Sequence, residues 1–262
     1  MKALKVDVTF HWGFIVRQTE QSAAQSPYPY PPPSTLIGAL SYGYNKINGN
    51  PETIVQNGKI YSSTIKILNG IYDVTCRIIE SSACPYQDLG RVISSPYLRV
   101  QHRQKLSPFA AQAVGKTYVI KGKLRVIYLV HEEWIDILEK AAFLISRIGS
   151  KEGISSVEKV RVVDISSVES DEISTQYYLR SNHVLEIYNE AYHRVTYWDF
   201  KDIEAYRVGK SRRKPTEMEY LVNKYDVIFG GEIEPMELKI DVENAVIYDV
   251  DGELIVTYRG DN

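Results

Sequence analysis

Residues 27–40, PYPYPPPSTLIGAL, leave the chain less conformational choice than any other stretch. Five prolines within seven residues fix φ and bias each preceding residue away from the helical region. Pro27 to Pro33 therefore favours polyproline II. Ser34 or Thr35 is a good N-cap, and Leu36, Ile37 and Leu40 then recur at helical spacing. A stiff, extended lead thus delivers a helix, expected over residues 34–47, at a fixed place with no flexible residue between.

The rest of the chain supplies what that helix would pack on. MKALKVDVTF alternates Leu4, Val6, Val8 and Phe10 with Lys5, Asp7 and Thr9, the pattern of a strand over 3–10 and not of a signal peptide. No 18-residue apolar run occurs, so the expectation is a soluble, intracellular and cytoplasmic protein. KIYSSTIKILNGIYDVTCRII reads as two strands turned at Asn69-Gly70, a type I′ signal. Residues 81–116 lose this regularity and read as an inserted arm, whereas KLRVIYLV (123–130) has the continuous apolar character of a central strand.

In HEEWIDILEKAAFLISRIG, Trp134, Leu138, Ala141, Ile145 and Ile148 fall on one helical stripe, with acids at the start and Arg147 and Gly149 at the end. A strand follows over 154–165. The order predicts an α+β fold: a ferredoxin-like, RRM-like βαββαβ domain over 1–166 carrying the arm at 81–116. Residues 167–262 form a β-rich, acidic C-terminal subdomain ending in a hairpin turned at Asp251-Gly252.

A net charge of −2 hides an uneven distribution. Residues 1–166 carry 20 Lys and Arg against 13 Asp and Glu, whereas 167–262 carry 11 against 20. Within 81–131, eight basic residues (Arg91, Arg99, Arg103, Lys105, Lys116, Lys121, Lys123 and Arg125) face the single acid Asp88. Charge concentrated this way is a polyanion footprint or, more blandly, a solvated face.

Several classes of chemistry find no support. Neither a P-loop nor a Rossmann glycine pattern is present, and the five histidines show no metal-binding spacing, so no cofactor or metal is expected. Cys76 and Cys84 make no disulfide framework or zinc quartet, though a single bridge between them would suit a hyperthermophilic source. Metal-free RNA cleavage needs a base, a cation and positioning, which His11, Tyr28 or Tyr30, His102 and Lys105 could assemble. His11 and Trp12 at a strand end more often serve packing and loop anchoring.

Three basic segments are candidate sites. YLRVQHRQK brings Tyr97, Arg99, His102, Arg103 and Lys105 together, cations for phosphates and rings for splayed bases; a protein-binding hairpin would look similar. RIGSKEG offers backbone N–H groups and Lys151 to an anion, or is an ordinary helix end. GKSRRKP (209–215) is a basic island in the acidic half, suited to a loop or an acidic partner. The proline run could also serve a protein adaptor as an SH3-type ligand.

A first strand ending FHWGF, a polar loop and then YPYPPPSTLIGALSYGY resembles the N-terminal signature of the CRISPR-associated Cas-five family, within the RAMP superfamily. The match is specific over residues 6–44, and its form is most like the archaeal type I-A variety. The resemblance implies a subunit that caps the 5′ handle of the CRISPR RNA in the Cascade complex and contacts its backbone and large subunits in antiviral defence. It implies no catalysis in most subtypes; in one, the family member is itself the metal-independent endoribonuclease that processes the repeat. By position, Arg91 to Lys116 matches the family's thumb-like insertion. Arg17 and Gln18 would line the RNA path, and Arg147 and Lys151 would hold phosphates.

Overall fold

The computed structural model describes residues 1–16, 26–80, 84–93, 109–119, 122–150, 152–209, 213–224 and 233–260, with side chains omitted at 80, 84–93 and 109–114. Strand β1 (Lys2–Phe10) begins the chain, followed by β2 (Gly13–Phe14), helix α1 (Pro33–Ile47), the hairpin β3 (Thr53–Gln56) and β4 (Lys59–Ser62), and β5 (Ile71–Glu80). Strands β6 (Cys84–Ile93), β7 (Phe109–Tyr118) and β8 (Lys123–Val130), helix α2 (Ile135–Ala142) and β9 (Ser155–Val163) complete the first part. One four-stranded sheet has the order β5-β8-β1-β9, with every neighbouring pair antiparallel. Helix α1 lies between β1 and β5 in sequence and α2 between β8 and β9, so the architecture is α+β with strands predominating.

The alternation in β1 decides the two faces of this sheet. Leu4, Val6, Val8 and Phe10 are fully buried in the main core with Leu36, Ile37 and Leu40 of α1 and Leu138 and Ala141 of α2. Each such side chain contributes about 1.5–3 kcal/mol of burial. The Tyr128 hydroxyl donates to Leu36 O at 2.9 Å, tying helix to sheet. The helices touch at Gly43, where a Cβ would lie 2.1 Å from Ala141 O. Ala3, Lys5 and Asp7 face the other way, toward Val250 and Ile255 of the C-terminal hairpin.

The proline run is a buried strap and not an exposed ligand, which removes the SH3-type reading. Pro27, Tyr28 and Pro31 to Pro33 are buried, and Tyr30 is 1% exposed. Prolines bring carbonyls but no N–H groups into the interior, so the run needs donors from elsewhere. Thr117 Oγ1 donates to Tyr28 O at 2.8 Å and the Tyr197 hydroxyl donates to Tyr30 O at 3.1 Å. Neither Ser34 nor Thr35 caps α1. Pro32 is the N-cap and Pro33 occupies the first turn, where a missing N–H costs nothing.

Three other expectations change. Asn69-Gly70 is no hairpin turn but the end of a 3-10 helix (Ser63–Gly70), with Gly70 pressed on the Trp134 ring. The type I′ turn lies at Asn57-Gly58, whose φ values of 51° and 71° join β3 to β4. The arm, read as irregular, has a paired base: β6 and β7 are antiparallel from Cys84↔Tyr118 to Ile93↔Phe109, and β2 adds to β7. Helix α2 stops at Ala142, not near residue 148. The Leu144 and Ile145 N–H groups donate three residues back, and Ile145 and Ile148 enter the core from non-helical backbone.

The remaining strands are β10 (Ser166–Ser167), β11 (Glu172–Thr175), β12 (Leu179–Arg180), β13 (Val184–Ile187), β14 (Tyr192–Trp198), β15 (Glu217–Asn223), β16 (Met236–Ile240), β17 (Ala245–Val250) and β18 (Glu253–Tyr258). They form three small sheets, β10-β17-β18, β11-β16-β13 and β12-β15-β14. The expected turn at Asp251-Gly252 joins β17 to β18, with φ of 59° and 81°. Tyr178, Tyr197, Phe200 and Tyr220 from this part belong to the same core cluster as β1 and α1. Cys76 is a free, buried thiol. No helix among the described residues is long and apolar enough to cross a membrane.

Candidate nucleic-acid interface

The sheet face opposite the helices carries cations, but they are already engaged. Lys5 is 3% exposed and its ammonium lies 2.5 Å from Glu253 Oε2 and 3.3 Å from Asp251 Oδ2. Arg125 grips Asp7 with two bonds, at 2.6 and 2.8 Å, and also reaches Glu253 at 3.1 Å. Arg77 donates to Glu253 and to Gln176. Burial alone would raise the Glu253 pKa, but bonds from Lys5 and Arg77 and the charges of Arg77 and Arg125 outweigh it, holding the carboxyl down to about 2. The hairpin β17–β18 thus brings the carboxylates that close this face.

A different arrangement lies along one face of α1. A groove of about 930 Å³ runs between α1, the hairpin β3–β4, the base of the β6–β7 ribbon and the turn after α2. Thr35, Gly38, Ser41, Tyr42 and Asn45 line it, spaced three or four apart and so on one face of α1. Lys116 from β7 and Arg147 from the turn supply positive charge, while Glu52 and Glu152 also border the groove. Arg147 is exposed, and its guanidinium carbon sits 5.6 Å from the centre of the Tyr42 ring. Lys46 Nζ lies at the same 5.6 Å from that ring. An aromatic ring flanked by two cations suits both parts of a nucleotide, its base and its phosphate.

The turn that holds Arg147 is pinned by its glycines. Gly149 has φ of +85°, and a Cβ there would sit 2.7 Å from Ile15 O. Ser150 N donates to Ile15 O at 3.1 Å, Ile148 N to Gly153 O at 2.9 Å, and Gly153 N to Ser150 O at 3.0 Å. The Ile148, Ser150 and Gly153 N–H groups are thus spent within the protein, and among the described residues of this turn the exposed Arg147 guanidinium brings positive charge to the groove.

Of the residues singled out in the sequence, Lys116 and Arg147 come together at the groove. Ile15 and Val16, which lead into the loop of Arg17 and Gln18, line it too. Arg17, Gln18, Tyr97, Arg99, His102, Arg103, Lys105 and Lys151 lie outside the described residues, as does the side chain of Arg91. The nuclease constellation does not assemble around the tyrosines. Tyr28 and Tyr30 are in the core, while His11 is exposed and bonded to Ser156 Oγ at 2.9 Å. Among the described residues no group of three His, Cys, Asp or Glu could hold a metal ion. Sequence reading missed Tyr42. The signal was present as a polar stripe at 35, 38, 42 and 45, opposite the apolar stripe of the same helix.

No family model matches the sequence. Among characterised relatives, CRISPR-associated protein Cas5 3 of Saccharolobus solfataricus is 35% identical over 196 residues, covering 74% of this chain and 79% of its own. CRISPR system aCascade subunit Cas5 1 of the same organism is 32% identical over 254 residues, covering 96% and 98%. A crystal structure of a CRISPR protein from Archaeoglobus fulgidus shares the fold, with a TM-score of 0.65 at 21% identity over 99% of this chain and 100% of that one.

Proposed function

Because the chain belongs to the CRISPR-associated Cas5 family, we propose that it is the Cas5 subunit of an archaeal, type I-A-like aCascade surveillance complex. Its role is to bind CRISPR RNA at the 5′ handle without cutting it, while contacting the backbone and large subunits of the complex. The observation that carries this reading is the groove in which Lys116 and Arg147 flank the face of α1 that bears Tyr42. Cations that neutralise phosphates beside a ring that can stack on a base are what single-stranded RNA recognition requires. On this reading the sheet β5-β8-β1-β9 is the ferredoxin-like core of a RAMP domain within 1–166, and 167–262 is a subdomain that closes its second face.

The endoribonuclease alternative gains nothing from the described residues, since the tyrosines it would use are buried. Incubating the purified protein with CRISPR repeat RNA in EDTA should leave the RNA intact and bound. A single cut ending in a 2′,3′-cyclic phosphate would overturn the non-catalytic role. Replacing Lys116 and Arg147 together by Gln should weaken binding about tenfold and make log K against log salt shallower by about 1.4. Unchanged affinity would remove the groove from the RNA path.

A further inference from the structure

The groove does not end at the hairpin β3–β4. Val208 forms part of its wall, and Val208 N donates to Ile60 O at 2.9 Å, which fixes residues 207–209 against that hairpin. The residues on either side of Val208, Arg207 and Gly209, line a second groove of about 420 Å³, together with Trp198, Arg213 and Lys214. The two grooves therefore share one stretch of chain as their divide.

The second groove has the chemistry of a phosphate contact. Among the described residues, three cations line it against one carboxylate, Glu204. That carboxylate is buried and already accepts from Lys59, the Tyr61 hydroxyl and Arg207, at 3.0–3.2 Å. Trp198 adds an indole Nε1 that is covered and has no acceptor among the described residues. The two outer cations reach the surface. Arg213 is 68% exposed and bonds Asp202, whose oxygens also accept from Thr216 N and Oγ1 at 3.0 Å and from Glu204 N at 3.1 Å. Lys214, 52% exposed, pairs with Glu217 across an i,i+3 spacing at the surface. A surface pair such as Lys214–Glu217 exchanges a carboxylate for a phosphate at little cost, and Asp202 keeps its donors from Thr216 and Glu204 when Arg213 changes partner.

We propose that Arg213 and Lys214, the described cations of the basic island, form a second phosphate-binding site, and that RNA leaving the α1 groove passes over Val208 to reach them. This rests on the RNA reading of the first groove. It gives residues 167–262 a direct part in holding RNA, where the sequence had offered a loop or an acidic partner. The shared wall at Val208 favours RNA over a separate acidic protein, because one strand can lie in both grooves.

The test compares two oligouridylates, one of about four nucleotides and one of about twelve, by titration at several salt concentrations. R213Q/K214Q should weaken the longer RNA about tenfold, make its salt slope shallower by about 1.4 and leave the shorter one unchanged. Both replaced side chains are exposed, so the melting temperature should match the parent. If R213Q/K214Q binds the longer RNA like the parent while K116Q/R147Q weakens both lengths, the island is not on the path and the groove stands. If K116Q/R147Q leaves both lengths unchanged and R213Q/K214Q weakens the longer one, the island holds RNA and the groove reading is what fails.

Discussion

Lys5 and Arg147 are cations on the same small frame, one on the sheet face that the C-terminal hairpin covers and the other beside the helices. Lys5 is almost completely buried and lies against two carboxylates of the C-terminal hairpin. Arg147 is exposed, and its neighbour is the Tyr42 ring. The difference lies in what each costs to free. Withdrawing a carboxylate from a buried cation leaves an uncompensated charge in low dielectric, whereas a surface guanidinium changes partners in water. A charge count along the chain cannot separate these cases, although one cation is committed to the fold and the other is open to a ligand. An RRM-like sheet suggests RNA on its open face, but here that face is shut by Glu253 and its neighbours.

Removing Glu253 is the most severe way to break this contrast. Glu253→Gln leaves Lys5, Arg77 and Arg125 short of a counter-charge and should lower stability by about 3–5 kcal/mol in a denaturant titration. RNA affinity of the molecules that remain folded should not change. If stability fell by less than about 1 kcal/mol, the sheet-face cluster would be a solvated ion pair and the contrast would dissolve.

Acid should expose the same cluster without mutation. The folded pKa of Glu253, about 2, lies below its ordinary 4.5, so its contribution is complete above about pH 4.5 and vanishes as pH falls through about 2. The shift corresponds to stability on the order of 3 kcal/mol, and Glu253→Gln should flatten that part of the pH–stability curve. An unchanged acid limb in the variant would assign the acid sensitivity elsewhere.

The smallest effect concerns the groove. Tyr42→Ala should cost RNA binding about 1–3 kcal/mol if a base stacks there, and stability less than about 1 kcal/mol. Equal affinity for RNA in the variant would mean that the ring only props Arg147.

Much of the frame was legible because its signals are local. The alternation of β1 and the stripe Leu36, Ile37, Leu40 each report one element facing one core. The errors came where tertiary contacts choose between equal local signals. Of the three Asn-Gly pairs, Asn48-Gly49 follows helix α1, Asn69-Gly70 ends a 3-10 helix and Asn57-Gly58 turns a hairpin, because Gly70 is needed under Trp134. The stripe through Ile148 is apolar at helical spacing, yet the helix ends six residues earlier, since extended chain can bury Ile145 and Ile148 as well. Tyr42 escaped notice because a half-exposed tyrosine on a helix carries no local mark of a ligand. Its meaning depends on Arg147, which lies on a different element.

Gly43 has a bearing on how this protein tolerates change. One side of α1 rests on α2 with no room for a methyl group, and the other side is a wall of the groove. A larger residue at 43 touches no ligand, yet it would tilt the wall against which Arg147 and Tyr42 are aligned. On the proposed RNA reading, defects in binding would therefore also arise from the concealed side of the helix, as errors of alignment with every groove residue intact.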